Sequence, residues 1–300
     1  MSKNLISHTD DKIPYENELR LAHLKERIKT NFDSDTSLQL IQVLNELNDF
    51  ELGKFLIQHE GLNGHWTHEV VTWNEKKAVK NKTEKALFAE IPATLATRQR
   101  FHTFKQIIRS LLSTPNQVIA SIPSGYMSEV LLLDAEILKH TQMIAVDLDK
   151  DALDGAFALA RNQKISEKLK LIHEDAWNIQ LTEEVDIITS NGLNIYEHDN
   201  NRVIKLYEKF YRALKKDGTL ITSFLTPPPT LSPASPWKME NINLTALQLQ
   251  KAIFLDILNA KWSAYRTEDL TKQQLEHAGF KEIKFIYDDA HLFPTVVAKK

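Results

Sequence analysis

The chain has 300 residues, of which 42% are hydrophobic and 26% are charged, values within the range of globular proteins. It contains no cysteine, which excludes disulfide bonds, thiolate catalysis and cysteine-ligated zinc. The net charge of -3 provides no general field for nucleic acid, and no apolar stretch reaches the roughly 18 residues that a membrane helix needs.

The N-terminal third is predicted to be helical. Its first twelve residues lack the apolar core of a secretory signal, so we expect a cytoplasmic location. From residue 16 to residue 112 the apolar side chains recur every three or four positions, the period of an amphipathic helix. The last helix, over 93–112, leads into the first strand and carries Arg100. This arginine could pair with a ligand carboxylate or make ordinary surface ion pairs.

Two polar stretches in this region have a functional and a structural interpretation. His65 and His68 have the spacing to share one helix face, but no HExxH motif is present, so we predict helix-end histidines and no metal. The lysines between 76 and 85 are interrupted by acids and lack interleaved aromatic residues. This pattern favours a solvated linker, and we predict no nucleic-acid partner.

Residues 117–147 are predicted to form a strand, a tight turn, a helix and a second strand. The first strand, 118–122, is apolar without alternation, as is typical of a strand buried on both faces of a parallel sheet. Gly125 stands in the turn, where a glycine allows positive φ or the close approach of a ligand, and Ser128 opens a helix that extends to 138. The second strand ends at Asp147, at about the distance where a nucleoside-binding βαβ unit places an acid for ribose hydroxyls.

A third strand is predicted over 169–172, after a helix with one apolar stripe over 152–160. Directly after it come Asp175, Ala176 and Trp177. An acid followed by a small residue at this position can accept a hydrogen bond from a purine amine, and the aromatic residue can cover the ring.

The fourth strand, 185–189, is followed by a polar loop that contains Asn191, Tyr196 and His198. Because ligands of open parallel sheets bind beyond the carboxyl ends of the strands, we expect the chemistry near this loop. Histidine is the natural general-base candidate, since an unperturbed imidazole titrates near neutral pH. The tyrosine could line the pocket or orient an acceptor. A helix over 200–214 and a turn at 216–218 then lead to a fifth strand over 219–225.

The order of these parts resembles the class I S-adenosylmethionine-dependent methyltransferases. The resemblance covers 116–300 and rests on the blocks VIASIPSGYM, AVDLD, HEDAW, DIITSNGLNIY and LKKDGTLITSFL. The block LEHAGF, with strands over 281–287 and 294–299, resembles the family's closing helix and antiparallel strand pair. The implied fold is an α/β, Rossmann-like sheet of seven strands in the order 3-2-1-4-5-7-6 with helices on both faces. The implied domains are a helical region, 1–115, and a methyltransferase domain, 116–300, with an insert at 226–265.

The resemblance also implies the cofactor, S-adenosylmethionine, and a set of cofactor-binding residues. These are Ser121, Pro123, Gly125, Asp147, Leu148, Asp175, Ala176 and Asn191. Arg100 lies before the matched region and is predicted to bind the cofactor from its position on the helix beside the glycine turn. The glycine motif departs from the family pattern, because Ser121 stands in place of the acid and Gly125 is the one glycine kept. A serine cannot offer the carboxylate that often holds the amino group of the cofactor.

The function predicted from these residues is methyl transfer to a small-molecule acceptor. Tyr196 and His198 are the predicted catalytic residues, and Trp237, in the proline-rich insert, is a predicted wall of the acceptor pocket. The apolar face over 244–262 could pack on the N-terminal helices, cover the substrate or touch a membrane surface. An inactive cofactor-binding protein on the same fold is the alternative function, and an NAD or nucleotide-sugar enzyme is a weaker one. The oligomeric state stays open.

Overall fold

The computed structural model describes residues 14–260 and 262–300. The chain forms two compact units, one of Met1–Leu95 with Met239–Trp262 and one of Ala96–Lys238 with Ser263–Lys300. These units differ from the predicted domains in where residues 96–115 and 239–262 belong. We describe each unit by itself.

The secondary structure alternates between helices and strands after residue 117. The helices are α1 (Pro14–Asn31), α2 (Ser34–Leu47), α3 (Glu51–His59), α4 (Gly64–Thr72), α5 (Lys82–Ala89), α6 (Pro92–Leu111), α7 (Ser128–Leu131), α8 (Ala135–Leu138), α9 (Lys150–Asn162), α10 (Asn200–Ala213), α11 (Leu244–Lys251) and α12 (Glu268–His277). The strands are β1 (Val118–Ser121), β2 (Gln142–Asp147), β3 (Leu169–His173), β4 (Val185–Ser190), β5 (Leu214–Ser223), β6 (Lys281–Ile286) and β7 (Thr295–Lys299). None of the described helices combines the length and the apolar content needed to cross a membrane.

The helical unit is built around one apolar core. Leu24 of α1, Leu44 of α2 and Leu56 of α3 are fully buried in it. Ile253 and Ile257, in the π-helical turn that continues α11, belong to the same core. The apolar face predicted over 244–262 therefore packs on the N-terminal helices, which is the first of its three interpretations.

The second unit contains a seven-stranded sheet in the order β3-β2-β1-β4-β5-β7-β6. Strands β1 to β5 pair in parallel, and β7 is antiparallel to both β5 and β6. The described residues before Val118 contribute no strand. The predicted fold is confirmed.

Both faces of this sheet are covered, as β2 illustrates. Met143 and Ala145 face a core that includes residues of α6, α7 and α9, whereas Ile144 and Val146 face a core that includes residues of α10 and α12. Consecutive residues of a strand point to opposite faces, so two apolar cores require an apolar residue at every position. This explains the non-alternating strands of the sequence.

Two predicted elements differ from the structure. The single helix expected over 128–138 is broken into α7 and α8, because Asp134 is extended (ψ 132°) and begins a new helical turn. The turn expected at 216–218 lies inside β5, where Asp217 has φ of 62°. Leu214 pairs with Val185, and Thr219 pairs with Ile187, so the extra residues form a bulge while β5 keeps its partner.

Candidate functional site

The carboxyl ends of β1 to β4 lie at one edge of the parallel sheet, and the loops that follow them form the candidate site. Gly125 follows β1 with φ of 48°, in the left-handed region. Its N–H donates to Oδ2 of Asp147, at the end of β2, over 2.8 Å. The N–H of Asp149 donates to Oδ1 of the same carboxylate over 2.9 Å. Two loops are thereby joined through one acid.

Burial raises the pKa of Asp147, and the backbone N–H groups of Asp149 and Gly125 oppose that shift. Each carboxylate oxygen accepts one of these bonds. The N–H of Leu148 lowers the pKa of Asp147 as well. Since an ionised carboxylate has about four acceptor positions, it still retains acceptor capacity for a ligand.

The glycine loop is supported by helix α9. A Cβ atom built on Gly155 would lie 2.1 Å from Cε1 of Tyr126, so the tyrosine ring occupies the place of a side chain at position 155. The absence of that side chain lets Tyr126 rest on the helix, directly beside Gly125.

The loop after β3 places the predicted adenine acid. Oδ1 of Asp175 accepts from the N–H of Trp177 over 3.0 Å, and Ala176 is buried behind it. The Trp177 indole donates to the carbonyl of Arg202 over 2.8 Å, and the Arg202 guanidinium lies 4.9 Å from the ring centroid. One face of this indole is therefore already covered by protein.

A buried carboxylate that the sequence analysis missed lies between β1 and β4. Oε1 of Glu129, on α7, accepts from Ser121 Oγ over 2.8 Å and from Thr189 Oγ1 over 2.9 Å. Glu129 is 8% exposed, and burial raises its pKa. Two features of the sequence could have indicated this carboxylate. Ser121 stands where the family pattern has an acid, and Glu129 is an acid within the apolar helical run that follows soon after.

A buried cation lies near the ends of β5 and β7. Nη1 of Arg100, on α6, donates to Ser223 Oγ over 3.4 Å, and its guanidinium stacks 4.8 Å from the centroid of Phe293. Ser223 in turn donates to Oδ1 of Asn191 over 2.8 Å. The structure thus joins two predicted cofactor residues, Arg100 and Asn191, through a serine that was not predicted.

Burial lowers the pKa of Arg100 to about 10, although its electrostatic interactions with Asp288, Glu129 and Tyr196 oppose that shift. The guanidinium stays charged at neutral pH. Burial raises the pKa of Tyr196 to about 12, with Arg100 acting in the opposite direction, so this phenol stays protonated.

His198 lies apart from this group. It is exposed, and its Nε2 is 3.3 Å from Ser263 Oγ. The indole of Trp237 donates to Thr226 Oγ1 over 2.9 Å, which fixes it just beyond the end of β5.

The other predicted cofactor residues lie in the loops of this edge. Pro123 is half-buried in the glycine loop, and the carbonyl of Leu148 is 2.8 Å from His173 Nε2. Among the described residues, no group of three or more histidine or acidic side chains could hold a metal ion.

A methyltransferase-domain family model matches residues 124–218, the segment from the glycine loop into β5. It contains Gly125, Asp147, Asp175 and Asn191, and it lies within a sheet of the strand order expected for this family. This match confirms the predicted family, the class I S-adenosylmethionine-dependent methyltransferases. The predicted enzyme class and the predicted cofactor, S-adenosylmethionine, are confirmed as well.

The solved structures similar to this methyltransferase include a protein from Bordetella parapertussis that is described as a possible exported protein. The two are 41% identical, the match covers 96% of this chain and 99% of that one, and the TM-score is 0.90. The predicted cytoplasmic location is contradicted by this relative and is wrong.

Two more distant structures share the fold alone. A candidate O-methyltransferase from Nostoc punctiforme PCC 73102 is 14% identical, with 87% of this chain and 69% of that one covered and a TM-score of 0.51. The CurJ carbon methyltransferase is 13% identical, with 95% and 68% covered and a TM-score of 0.52. A search of curated proteins found no match.

The residues present fit the cofactor. Asp147 retains acceptor capacity beside a glycine backbone, as a ribose requires. The buried carboxylate of Glu129 lies at the end of β1, where the family pattern has an acid and this chain has Ser121.

Proposed function

We propose that this methyltransferase acts on a small-molecule acceptor bound at the carboxyl ends of β4 and β5. The observation that carries this proposal is the hydrogen-bonded series of Arg100, Ser223 and Asn191. Asn191 follows β4, Ser223 ends β5, and Arg100 is a buried cation. Such a convergent polar group in a largely buried setting suits a small ligand better than the surface of a macromolecule.

The cofactor residues would be Gly125, Asp147, Asp175 and Glu129. The two aspartates would accept hydrogen bonds from the ribose hydroxyls and the adenine amine, and Glu129 would accept from the amino group. When bound, S-adenosylmethionine supplies a sulfonium methyl group, which a nucleophilic atom of the acceptor takes by in-line displacement.

The acceptor would be held by side chains on the other half of the edge. The Tyr196 hydroxyl, which is protonated at neutral pH, would donate a hydrogen bond to the acceptor and orient it. Trp237, fixed by Thr226, would provide an aromatic wall that helps to exclude water. Alignment and desolvation of the nucleophile can lower the barrier by several kcal/mol without a covalent intermediate.

His198 is our candidate for removing the acceptor proton. It lies two residues after Tyr196 in the loop beyond β4, and Ser263 Oγ is 3.3 Å from its Nε2. Its exposure does not exclude this role, because catalytic hydrogen bonds often tighten only in the substrate complex.

The alternative of an inactive binding protein was based on the degenerate glycine motif, which lacks its acid and keeps one glycine, Gly125. Glu129 compensates for the missing acid, since its carboxylate is hydrogen-bonded to Ser121. The net charge of -3 gives no support to a nucleic-acid acceptor.

The test is a transfer assay with methyl-labelled S-adenosylmethionine and cell extract separated into low-mass, protein and RNA fractions. We expect label in the low-mass fraction and its loss with the Asp147→Ala variant. Label that accumulates only in protein or RNA would contradict the proposal.

A further inference from the structure

Arg100 is a buried guanidinium that is short of hydrogen-bond partners. It is 8% exposed, and its Nε has no partner among the described residues. Its hydrogen bond to Ser223 Oγ is long, at 3.4 Å. A guanidinium carries five N–H donors, and burying a charge without partners is unfavourable. The site is therefore incomplete around this side chain.

The nearby acids do not supply the missing partners of Arg100, because each carboxylate is hydrogen-bonded to other groups. The carboxylate of Asp288 accepts from three backbone N–H groups, of Ala290 (3.2 Å), Leu292 (3.0 Å) and Phe293 (2.7 Å). Glu129 accepts from two hydroxyl groups at Oε1. Among the described residues, neither acid forms an ion pair with Arg100 within 4.0 Å.

The geometry of the guanidinium selects the ligand. Its Cζ lies over the Phe293 ring, 4.8 Å from the centroid, and its Nε has no partner among the described residues, so an N–H donor remains for a ligand. A planar carboxylate can take two parallel N–H bonds from the edge of a guanidinium. A single buried cation also matches the single negative charge of a carboxylate better than a doubly charged phosphate.

The position along the sheet edge favours the acceptor as the source of the carboxylate, although Glu129, the proposed partner of the cofactor's amino group, also acts on Arg100. Ser223 ends β5 and Phe293 precedes β7, whereas Gly125 and Asp147 follow β1 and β2. Strand β5 is the second strand beyond β1, which places its end about 10 Å from the glycine loop at the usual strand spacing. Tyr196, on the β4 loop, is close enough for the charge of Arg100 to act on it.

We propose that the methyl acceptor carries a carboxylate and that Arg100 binds it. This inference rests on the proposed function and gives it a substrate class, small organic acids. It also differs from the sequence prediction, which assigned Arg100 to the cofactor.

The first experiment measures carboxylate binding to the complex with S-adenosylhomocysteine. Acetate and benzoate are titrated by calorimetry against their neutral counterparts, acetamide and benzamide, and against inorganic phosphate. We expect benzoate to bind at least tenfold more tightly than benzamide. Arg100→Gln should remove that preference, and Arg100→Lys should keep part of it.

The matched control is Arg109→Gln, the same substitution on the same helix. Arg109 is exposed and pairs with Asp134, so its loss should leave the preference for carboxylates unchanged. Melting temperature and circular dichroism establish that each variant is folded. The comparison of benzoate with benzamide on the unmodified protein needs no variant at all.

The second experiment separates the acceptor from the cofactor, which also has a carboxylate. S-adenosylhomocysteine and 5′-methylthioadenosine, which lacks the amino-acid group, are titrated into the Arg100→Gln variant. We expect affinity for S-adenosylhomocysteine within about twofold of the unmodified protein. A loss of tenfold or more for this ligand, with 5′-methylthioadenosine unaffected, would assign Arg100 to the cofactor and overturn the proposal.

Three other results would also overturn it: no binding of either carboxylate, equal binding of carboxylates and amides, or a preference for phosphate. Failure of the unmodified protein to bind S-adenosylhomocysteine would be a different outcome. It would contradict the proposed function itself, whatever the role of Arg100.

Discussion

Ser121 donates a hydrogen bond to Glu129, and the acid missing from the glycine motif is thereby present at the same place in the fold. Thr189 donates to the same oxygen from the neighbouring strand, which fixes the carboxylate between β1 and β4. The motif is therefore degenerate in sequence but still has a buried carboxylate in three dimensions.

The proposed role of Glu129 predicts weaker cofactor binding in the Glu129→Gln variant. An amide cannot accept the cofactor amino group as a charged carboxylate does, so affinity for S-adenosylhomocysteine should fall by about 1 to 3 kcal/mol. Calorimetry measures this change. Glu136→Gln, an exposed acid on α8, is the control and should bind normally. Equal affinity in both variants would remove Glu129 from the site.

The same variant has a predictable effect on stability. Burial raises the pKa of Glu129 above its ordinary value of 4.5. The contribution of this carboxyl to stability is complete below pH 4.5, and it is lost as pH rises through the folded-state pKa. The glutamine of the Glu129→Gln variant does not titrate, so the variant does not lose this stability as pH rises. The melting temperature of the variant minus that of the unmodified protein should therefore increase from acid to alkaline pH. A constant difference at every pH would contradict this expectation.

The contact between Asp147 and Gly125 predicts a loss of cofactor affinity when the carboxylate is removed. Asp147→Ala should weaken binding of S-adenosylhomocysteine by about 1 to 3 kcal/mol, because ribose hydroxyls and two backbone N–H groups lose their acceptor. Asp151→Ala, at an exposed position of α9, is the matched control. Calorimetry with NAD in parallel checks the cofactor, and tighter binding of NAD would contradict the assignment.

Tyr196 and Trp237 are predicted to act on the acceptor and not on the cofactor. Tyr196→Ala and Trp237→Ala should each lower turnover while leaving affinity for S-adenosylhomocysteine largely unchanged. Leu231→Ala is the control, since Leu231 is 65% exposed in the same proline-rich segment. The measurement is kcat with the acceptor found by the transfer assay. Unchanged turnover in both variants would count against the proposed pocket.

The proposed role of His198 predicts that His198→Ala lowers kcat by about 10²-fold or more, because proton transfer by a positioned side chain typically contributes that much. Cofactor affinity should not change. His140→Ala, an exposed histidine before β2, serves as the control. A kcat that stays within a few-fold of the unmodified enzyme would show that no base is needed at this position.

The packing of Tyr126 on Gly155 predicts an unusual response to a helix-favouring substitution. Alanine normally stabilises a helix interior relative to glycine by about 0.5 to 1 kcal/mol. Here the added Cβ would meet the tyrosine ring, so Gly155→Ala should instead destabilise the protein by about 1 to 3 kcal/mol in denaturant unfolding.

The double variant Gly155→Ala with Tyr126→Ser tests the cause, because removal of the ring should abolish most of the loss. Asp154→Ala, exposed on the same helix, should change stability by no more than about 0.5 kcal/mol. Equal destabilisation with and without the ring would show another origin.

Much of the fold could be predicted because its signals are local. Uniformly apolar strands such as 118–122 indicate burial on both faces, and Asp147 and Asp175 stand at strand ends where parallel topology brings them to one edge. The break at Asp134 and the bulge at Asp217 were missed, since continuous apolar patterns do not reveal where a chain interrupts its hydrogen bonding.

The sequence by itself determined the strands of the second unit and the two acids that follow β2 and β3, because apolar patterns and loop positions are local. The strand order and the cofactor class were implied by the resemblance of the sequence blocks to a known family. Only the tertiary structure decided what Glu129 and Arg100 contact. The partner of Glu129 in β4 is 60 residues away, and Ser223 is 123 residues from Arg100. Burial by distant segments turns an ordinary helical acid and an ordinary helical arginine into a fixed carboxylate and an incompletely paired cation, and no local pattern carries that information.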